Sequence, residues 1–387
     1  MNILHTVQLY SPSVGGSQEV IRQISERLTQ RGHAVTVATS SHPDRTDASL
    51  NGVKIEQFDI TGNTVDGIRG QTRLYQEFLL DSRFDVMLNY AAQQWATDLV
   101  FPIIKSLRCR KVIAPCGFSR LFIPAYRGYF ARLADDLRCY DHLVFHAEHY
   151  RDIDYARTQG LSHFSVIPNG ASEQEFDKPE EVFRSRHGIP TGVPLLLTVG
   201  SHTGIKGHRL VMQAFRQAQI GPSVLLVIGN ESSKGGCARR CRWRAAWMNL
   251  AGLGQKRIVL LDPPRHDVVA AFQAADLFVF GSNIEYSPLV LFEAMASHTP
   301  FVTVACGNAA EIAAAGGGGI VVPTVEIGQG MVDADPQVFA REIEDLMHDP
   351  RHRKQLGENG YAAWKNRFTW ENIASQYEQL YLRLLGG

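Results

Sequence analysis

Short apolar runs separated by polar and glycine-containing stretches recur along the whole chain. Residues 1–8 read as a buried strand. Val20, Ile21, Ile24 and Leu28 then mark one face of a helix that Gly32 stops, and residues 34–39 return as a strand, so the chain opens with a βαβ unit. Further strands are expected at 53–58, 85–90, 111–115 and 142–145, with helical stretches between them. Residues 169–194 are rich in Gly, Pro and acidic side chains and poor in apolar ones until Leu195, which is the signature of a domain boundary. Beyond it, residues 195–199, 224–229, 258–262, 277–280 and 301–304 read as strands, and helices are expected from near His208 and over 338–347. Gly316 to Gly319 reads as a flexible turn. Thr369 is a good N-cap for a last helix, whose Ile373, Tyr377, Leu380, Tyr381 and Leu384 fall on one stripe. Strand alternating with helix predicts an α/β fold with doubly wound parallel sheets. The expected divisions are 1–170, 171–366 and a terminal helical segment 367–387.

Composition narrows the classes. The chain has 387 residues, 44% of them hydrophobic, enough for two domains with their own cores. Lys plus Arg equals Asp plus Glu at 39 each, so no global field attracts nucleic acid, and none is expected as a partner. No apolar run approaches a membrane span, and the start Met1-Asn-Ile-Leu-His-Thr lacks a charged segment followed by an apolar one, so a cytoplasmic location is expected. Cys109, Cys116, Cys139, Cys237, Cys241 and Cys306 are scattered, which suits reduced thiols. Cys237-x3-Cys241 has no matching second pair, so no zinc site is expected there.

The chemistry concentrates in residues 275–311. A strand at 277–280 leads through a polar loop to Ser287-Pro288, an N-cap residue followed by proline at the first helical position. The helix should end near His298, because Pro300 pushes Thr299 out of the helical region. Glu285 lies in the loop at the carboxyl end of the strand, where open α/β sheets bind ligands. Glu293 lies one turn above Leu289 on a helix apolar on nearly every face, and its side chain leans back toward the helix N-terminus. Both carboxylates therefore point toward one site. A buried carboxylate needs hydrogen-bond donors, which sugar or ribose hydroxyls would supply. The free N–H groups of Leu289 and Val290 suit a phosphate. Two further turns face a sheet edge: Gly15-Gly16 before the first helix, and Gly200 to Gly207, which carries Lys206. The first is not a dinucleotide fingerprint, since G-x-G-x-x-G and an acid after the second strand are both missing.

Glu-Tyr-Ser-Pro-Leu-Val-Leu-Phe-Glu at 285–293 resembles the E-x7-E motif of the retaining GT-B glycosyltransferases of family GT4. Val-Ile-Pro-Asn-Gly at 166–170, Leu-Thr-Val-Gly at 197–200 with Lys206-Gly207 after it, and Glu-Ala-Met-Ala at 293–296 stand in the family's order. The resemblance implies a GT-B fold, two Rossmann-like domains facing across a cleft, with a terminal helix crossing back onto the first. It implies metal-independent transfer of a sugar from a nucleotide-sugar donor, with no cofactor, to a glycan or lipid-linked acceptor in cell-surface polysaccharide or glycoconjugate synthesis. Glu285 and Lys206 would be catalytic. Gly15, Gly16, Ser287, Leu289, Val290 and Glu293 would bind substrate, with Glu293 on the ribose. Two positions depart from the pattern: Ser201 stands where the family has arginine, and Cys116 where it has histidine. An epimerase on the same plan and a non-catalytic nucleotide-sugar-binding subunit are the alternatives.

Two basic and aromatic stretches admit a second use. Residues 120–133, with Phe122, Tyr126, Tyr129 and Phe130 among arginines, suit either a packed helix or peripheral contact with the cytoplasmic face of a membrane. Residues 239–244 carry four arginines beside Trp243 and Trp247, which suits a nucleic-acid or membrane patch or a solvated helix with tryptophans turned inward, and the solvated helix is expected.

Overall fold

The apolar runs become the central strands of two parallel sheets in a computed structural model, which describes every residue except 82, 178–181, 231–235, 252–254 and 387. Part of the boundary stretch 169–194 thus lies outside the described residues. The chain divides into two units. Unit 1 is Met1–Asn169 with Trp370–Gly387, and unit 2 is Gly170–Thr369.

Unit 1 contains β1 (Asn2–Thr6), β2 (Ala34–Ser40), β3 (Ser49–Leu50), β4 (Val53–Phe58), β5 (Ile60–Asn63), β6 (Gly67–Gly70), β7 (Val86–Tyr90), β8 (Arg110–Ala114), β9 (His142–Phe145) and β10 (Phe164–Val166). Eight of these form one sheet in the order β10-β9-β8-β7-β1-β2-β4-β3, parallel except for the β3 edge, while β5 and β6 pair as a separate hairpin. β7 is buried at every position, the expected state of a parallel strand covered on both faces. The helix Gly16–Gln30 buries Val20, Ile21, Ile24 and Leu28, the stripe expected from spacing. The last helix, Trp370–Leu385, buries Ile373, Tyr377, Leu380 and Tyr381. Its polar face is tied to the same unit: Arg31 pairs with Glu371 at 2.6 Å, His33 with Glu378 at 2.7 Å, and the Tyr381 hydroxyl meets His5 Nε2 at 3.2 Å. In the 120–133 stretch, Tyr126, Tyr129 and Phe130 enter the core and Phe122 stays exposed. Among the described residues no helix is long and apolar enough to cross a membrane.

Unit 2 contains β11 (Leu195–Val199), β12 (Ser223–Ile228), β13 (Lys256–Leu261), β14 (Leu277–Phe280), β15 (Phe301–Val304) and β16 (Gly319–Val322), all parallel, in the order β13-β12-β11-β14-β15-β16. A hairpin of β17 (Val325–Gly328) and β18 (Met331–Asp333) follows.

Two expectations are corrected here. The helix Ala238–Ala251 turns Trp243 and Trp247 outward, 70% and 46% exposed, with the Arg216 guanidinium 4.7 Å from the Trp247 ring centroid. Its buried stripe is Cys241 and Ala245, and at about 100° per residue positions 243 and 247 fall on the opposite side. The glycines at 316–319 are not a flexible turn. Gly317 closes a helix in the left-handed region (φ 55°), and a Cβ on Gly319 would lie 2.3 Å from the Phe301 ring, so absence of a side chain serves close packing.

Candidate functional site

β11 and β14 lie side by side, yet the chain leaves β11 toward β12 on one side and leaves β14 toward β15 on the other. This reversal is the switch point at which open α/β sheets leave a crevice beyond their carboxyl ends. The two loops that border it are 200–207 and 281–288. They are locked together at short range. Asn283 N–H donates to the Ile205 carbonyl at 2.8 Å, and Ser282 Oγ donates to the same oxygen at 3.2 Å. Gly207 is left-handed (φ 67°), and a Cβ there would sit 1.7 Å from the Gly281 carbonyl oxygen, so only glycine allows this approach.

The contact brings two expected residues together. Lys206 Nζ donates to Glu285 Oε1 at 2.5 Å, with side chains 26% and 13% exposed. Partial burial makes the pair stronger than a surface ion pair, and its geometry is that of a charge-assisted hydrogen bond. Gly307 (φ 60°) packs so closely on the main chain of Glu285 and Tyr286 that a Cβ would lie 2.3 Å from the Tyr286 carbonyl oxygen. The Glu285 loop is therefore held from both sides.

The helix Leu289–Ala296 buries Leu291 to Ala296, Glu293 included. Its N-cap is Pro288, extended at φ −70° and ψ 116°, with no side-chain cap bond. The expectation that Ser287 caps the helix is corrected: it stands one residue too far out, and its buried Oγ accepts from Asn308 Nδ2 at 3.2 Å. Leu289 and Val290, half-buried, occupy the first turn, where N–H groups have no acceptor within the helix. Downstream, His298 is left-handed (φ 56°) and stacks on Tyr361 with centroids 3.7 Å apart.

Glu293 has a partner in the chain itself. Arg265, first residue of the helix Arg265–Ala274 after β13, reaches Glu293 Oε1 at 2.6 Å and Glu175 Oε2 at 2.7 Å. Partial burial works against the guanidinium's charge, but the carboxylates of Glu293 and Glu175 outweigh it and hold its pKa above the usual range. Part of the donor set expected from ligand hydroxyls is thus supplied by Arg265. Sequence reasoning did not single this residue out, although it lies in the Asp-Pro-Pro-Arg-His stretch at 262–266, where the loop after β13 enters the helix. Ser201, half-buried, belongs to the same edge of unit 2.

Gly15, Gly16 and Cys116 belong to unit 1. Its own switch point lies between β1 and β7, and the loop after β1 ends at Gly15-Gly16. A Cβ on Gly15 would press on the Gln18 side chain at 2.6 Å, whereas one on Gly16 meets nothing within 4 Å. Cys116 is left-handed (φ 61°), half-buried, and directs Sγ to the Ala114 carbonyl at 3.4 Å. Burial pushes its thiol well above the usual range, leaving it neutral. His146 is a core residue: its Nδ1 meets the Ile167 carbonyl at 2.8 Å, its Nε2 meets Tyr90 Oη at 3.1 Å, and burial lowers its pKa to about 4.

One more group gathers near the 200–207 loop. His202, His208, Cys237 and Cys241 are all buried and offer ligand atoms within 4.8 Å of one another. Cysteine spacing alone does not reveal the group, because the partners of Cys237 and Cys241 are histidines.

Two doubly wound parallel units of this kind, with loops gathered at the switch point of the second, define a GT-B fold. Over its whole length the chain superposes on sucrose-phosphate synthase from Thermosynechococcus elongatus, with a TM-score of 0.80 at 20% identity over 100% of this chain and 99% of that one. HepE from Anabaena, determined in complex with UDP and glucose, gives 0.75 at 16% identity over 98% and 99%. Residues 179–363, within the second unit, match the model of the family of glycosyl transferases group 1. Among curated proteins the chain is similar to a D-inositol 3-phosphate glycosyltransferase from Corynebacterium urealyticum, 29% identical over 245 residues, which are 60% of this chain and 54% of the relative. The chain thus spans about half the length of the curated relative it matches there.

Proposed function

We propose that this protein is a glycosyltransferase that moves a sugar from a nucleotide-sugar donor to an acceptor hydroxyl with retention of anomeric configuration and without a catalytic metal. The observation that carries the proposal is the Lys206–Glu285 pair at the switch point of unit 2, beside the N-terminus of Leu289–Ala296. As the glycosidic bond breaks, negative charge grows on the leaving diphosphate. The Lys206 ammonium and the N–H groups of Leu289 and Val290 would receive it. A diphosphate draws Lys206 away from Glu285, and the freed carboxylate accepts hydrogen bonds from the donor sugar. Lys206 and Glu285 would act as one exchanging unit. Glu293, fixed by Arg265, would hold the ribose hydroxyls. The match of residues 179–363 to glycosyl transferases group 1 and the UDP and glucose held by HepE support this donor class.

The test is a thermal-shift panel of UDP, GDP and ADP with their sugars, followed by assay of diphosphate release with candidate acceptors. One nucleotide should raise the melting temperature, because a ligand that binds only the folded state stabilises it. That shift should shrink in Lys206→Ala. NMR of the product anomer reads retention. Failure of every nucleotide to stabilise the protein would overturn the proposal, and conversion of donor without any acceptor would favour an epimerase.

A further inference from the structure

The four residues near the 200–207 loop have the geometry of a ligand set. Cys237 and Cys241 are four apart at the start of the helix Ala238–Ala251, and their sulfurs are 3.6 Å from each other. His202 Nδ1 lies 3.6 Å and His208 Nδ1 3.8 Å from Cys237 Sγ. Zinc bonds of about 2.3 Å to sulfur and about 2.0–2.1 Å to nitrogen, set tetrahedrally, require edges of about 3.8 Å between sulfurs and about 3.5 Å between sulfur and nitrogen. These three separations are close to these edges, and the remaining ligand atoms lie within 4.8 Å of one another. The three are also within reach of hydrogen bonds involving sulfur, and too long for a disulfide. The spacings C-x3-C and H-x5-H also fall in the range common among zinc proteins.

The surroundings agree. All four residues are buried, and Cys237 and Cys241 belong to the apolar core between β12 and the flanking helices. Cys237 N–H donates to the His202 carbonyl at 2.8 Å, so the two ligand segments are already joined.

We infer that His202, His208, Cys237 and Cys241 form a structural zinc(II) site that ties the Lys206-bearing loop to the helix following β12. Binding releases two thiol protons to solvent and forms two zinc–thiolate and two zinc–imidazole bonds. The product carries no net charge, which suits an apolar surrounding. Four protein ligands leave no open position, so the ion supports the loop and takes no part in transfer.

The experiment uses the full chain, purified without chelator or polyhistidine tag. Mass-spectrometric metal analysis should find about one zinc per chain, and Cys237→Ser/Cys241→Ser should lose it while the control Cys109→Ser keeps it. If the double variant does not fold, cobalt(II) exchange into the unaltered protein decides instead. Tetrahedral thiolate ligation gives strong visible bands and a sulfur-to-cobalt charge-transfer band. A chain that takes up neither zinc nor cobalt overturns the inference. So does an unreduced mass short by two hydrogens, which would mean that Cys237 and Cys241 form a disulfide. None of these readouts depends on glycosyl transfer, so the site stands or falls separately from the proposed activity.

Discussion

The two switch points share a plan and differ in content. In unit 1 the loop after β1 closes with Gly15-Gly16, and the titratable groups deeper in that unit, Cys116 and His146, are held neutral by burial. In unit 2 the corresponding edge carries charge that the chain neutralises internally, through Lys206 with Glu285 and Arg265 with Glu293 and Glu175. The same strand-and-helix scaffold thus supplies open main chain in one case and poised ion pairs in the other. The difference lies in the loops, which is where α/β proteins vary their chemistry.

The comparison breaks most sharply at Lys206. Lys206→Ala should lower the single-turnover rate by about a hundredfold or more, the usual loss on removing one electrostatic stabiliser, while circular dichroism stays unchanged. A variant of undiminished rate would remove Lys206 from the mechanism. Glu285→Gln should lower the rate at saturating donor by less. The Lys206→Ala/Glu285→Gln double variant should fall well short of the product of the single losses, because the two residues act as a pair. Independent, multiplicative losses would refute the exchange between them.

Glycine substitution compares the two edges directly. Gly207→Ala puts a methyl group against the Gly281 carbonyl in a left-handed position and should cost about 1–3 kcal/mol, read as a lowered denaturant midpoint. Glu293→Gln should weaken donor binding about tenfold by calorimetry with little change in kcat, since the ribose is unchanged during reaction. An unfolded Glu293→Gln protein would instead make the Arg265 pair structural. The smallest effect belongs to unit 1. Gly16→Ala meets nothing within 4 Å and should alter stability by less than about 0.5 kcal/mol in equilibrium unfolding. A larger loss would mean that Gly16 is needed for packing.

Legibility in the sequence followed the range of the interaction. β14 and β15 begin and end where their apolar runs do, because burial of a parallel strand leaves a continuous local signal. The outward tryptophans did not, since the helix Ala238–Ala251 mixes arginines and aromatics on every face and only Cys241 and Ala245 mark its buried side. Lys206 and Glu285 each stood out within their own loops, but the bond between them depends on strands β11 and β14 being neighbours, which no local pattern states. Arg265 and Glu293, 28 positions apart, were invisible as a pair for the same reason. The histidine and cysteine group was hidden further, because its two halves come from different crossovers of the sheet.

The last helix gives unit 1 an order of assembly. Its core includes Tyr377 and Tyr381, which the ribosome adds only after all of Gly170–Thr369 has been made. Unit 2 is one continuous stretch and can fold as it emerges. In unit 1 the side of the helix Gly16–Gln30 that the last helix covers stays open until that helix arrives to meet His5 and Arg31. Emergence of that helix, rather than synthesis of the first 169 residues, is therefore the step that completes the core of unit 1.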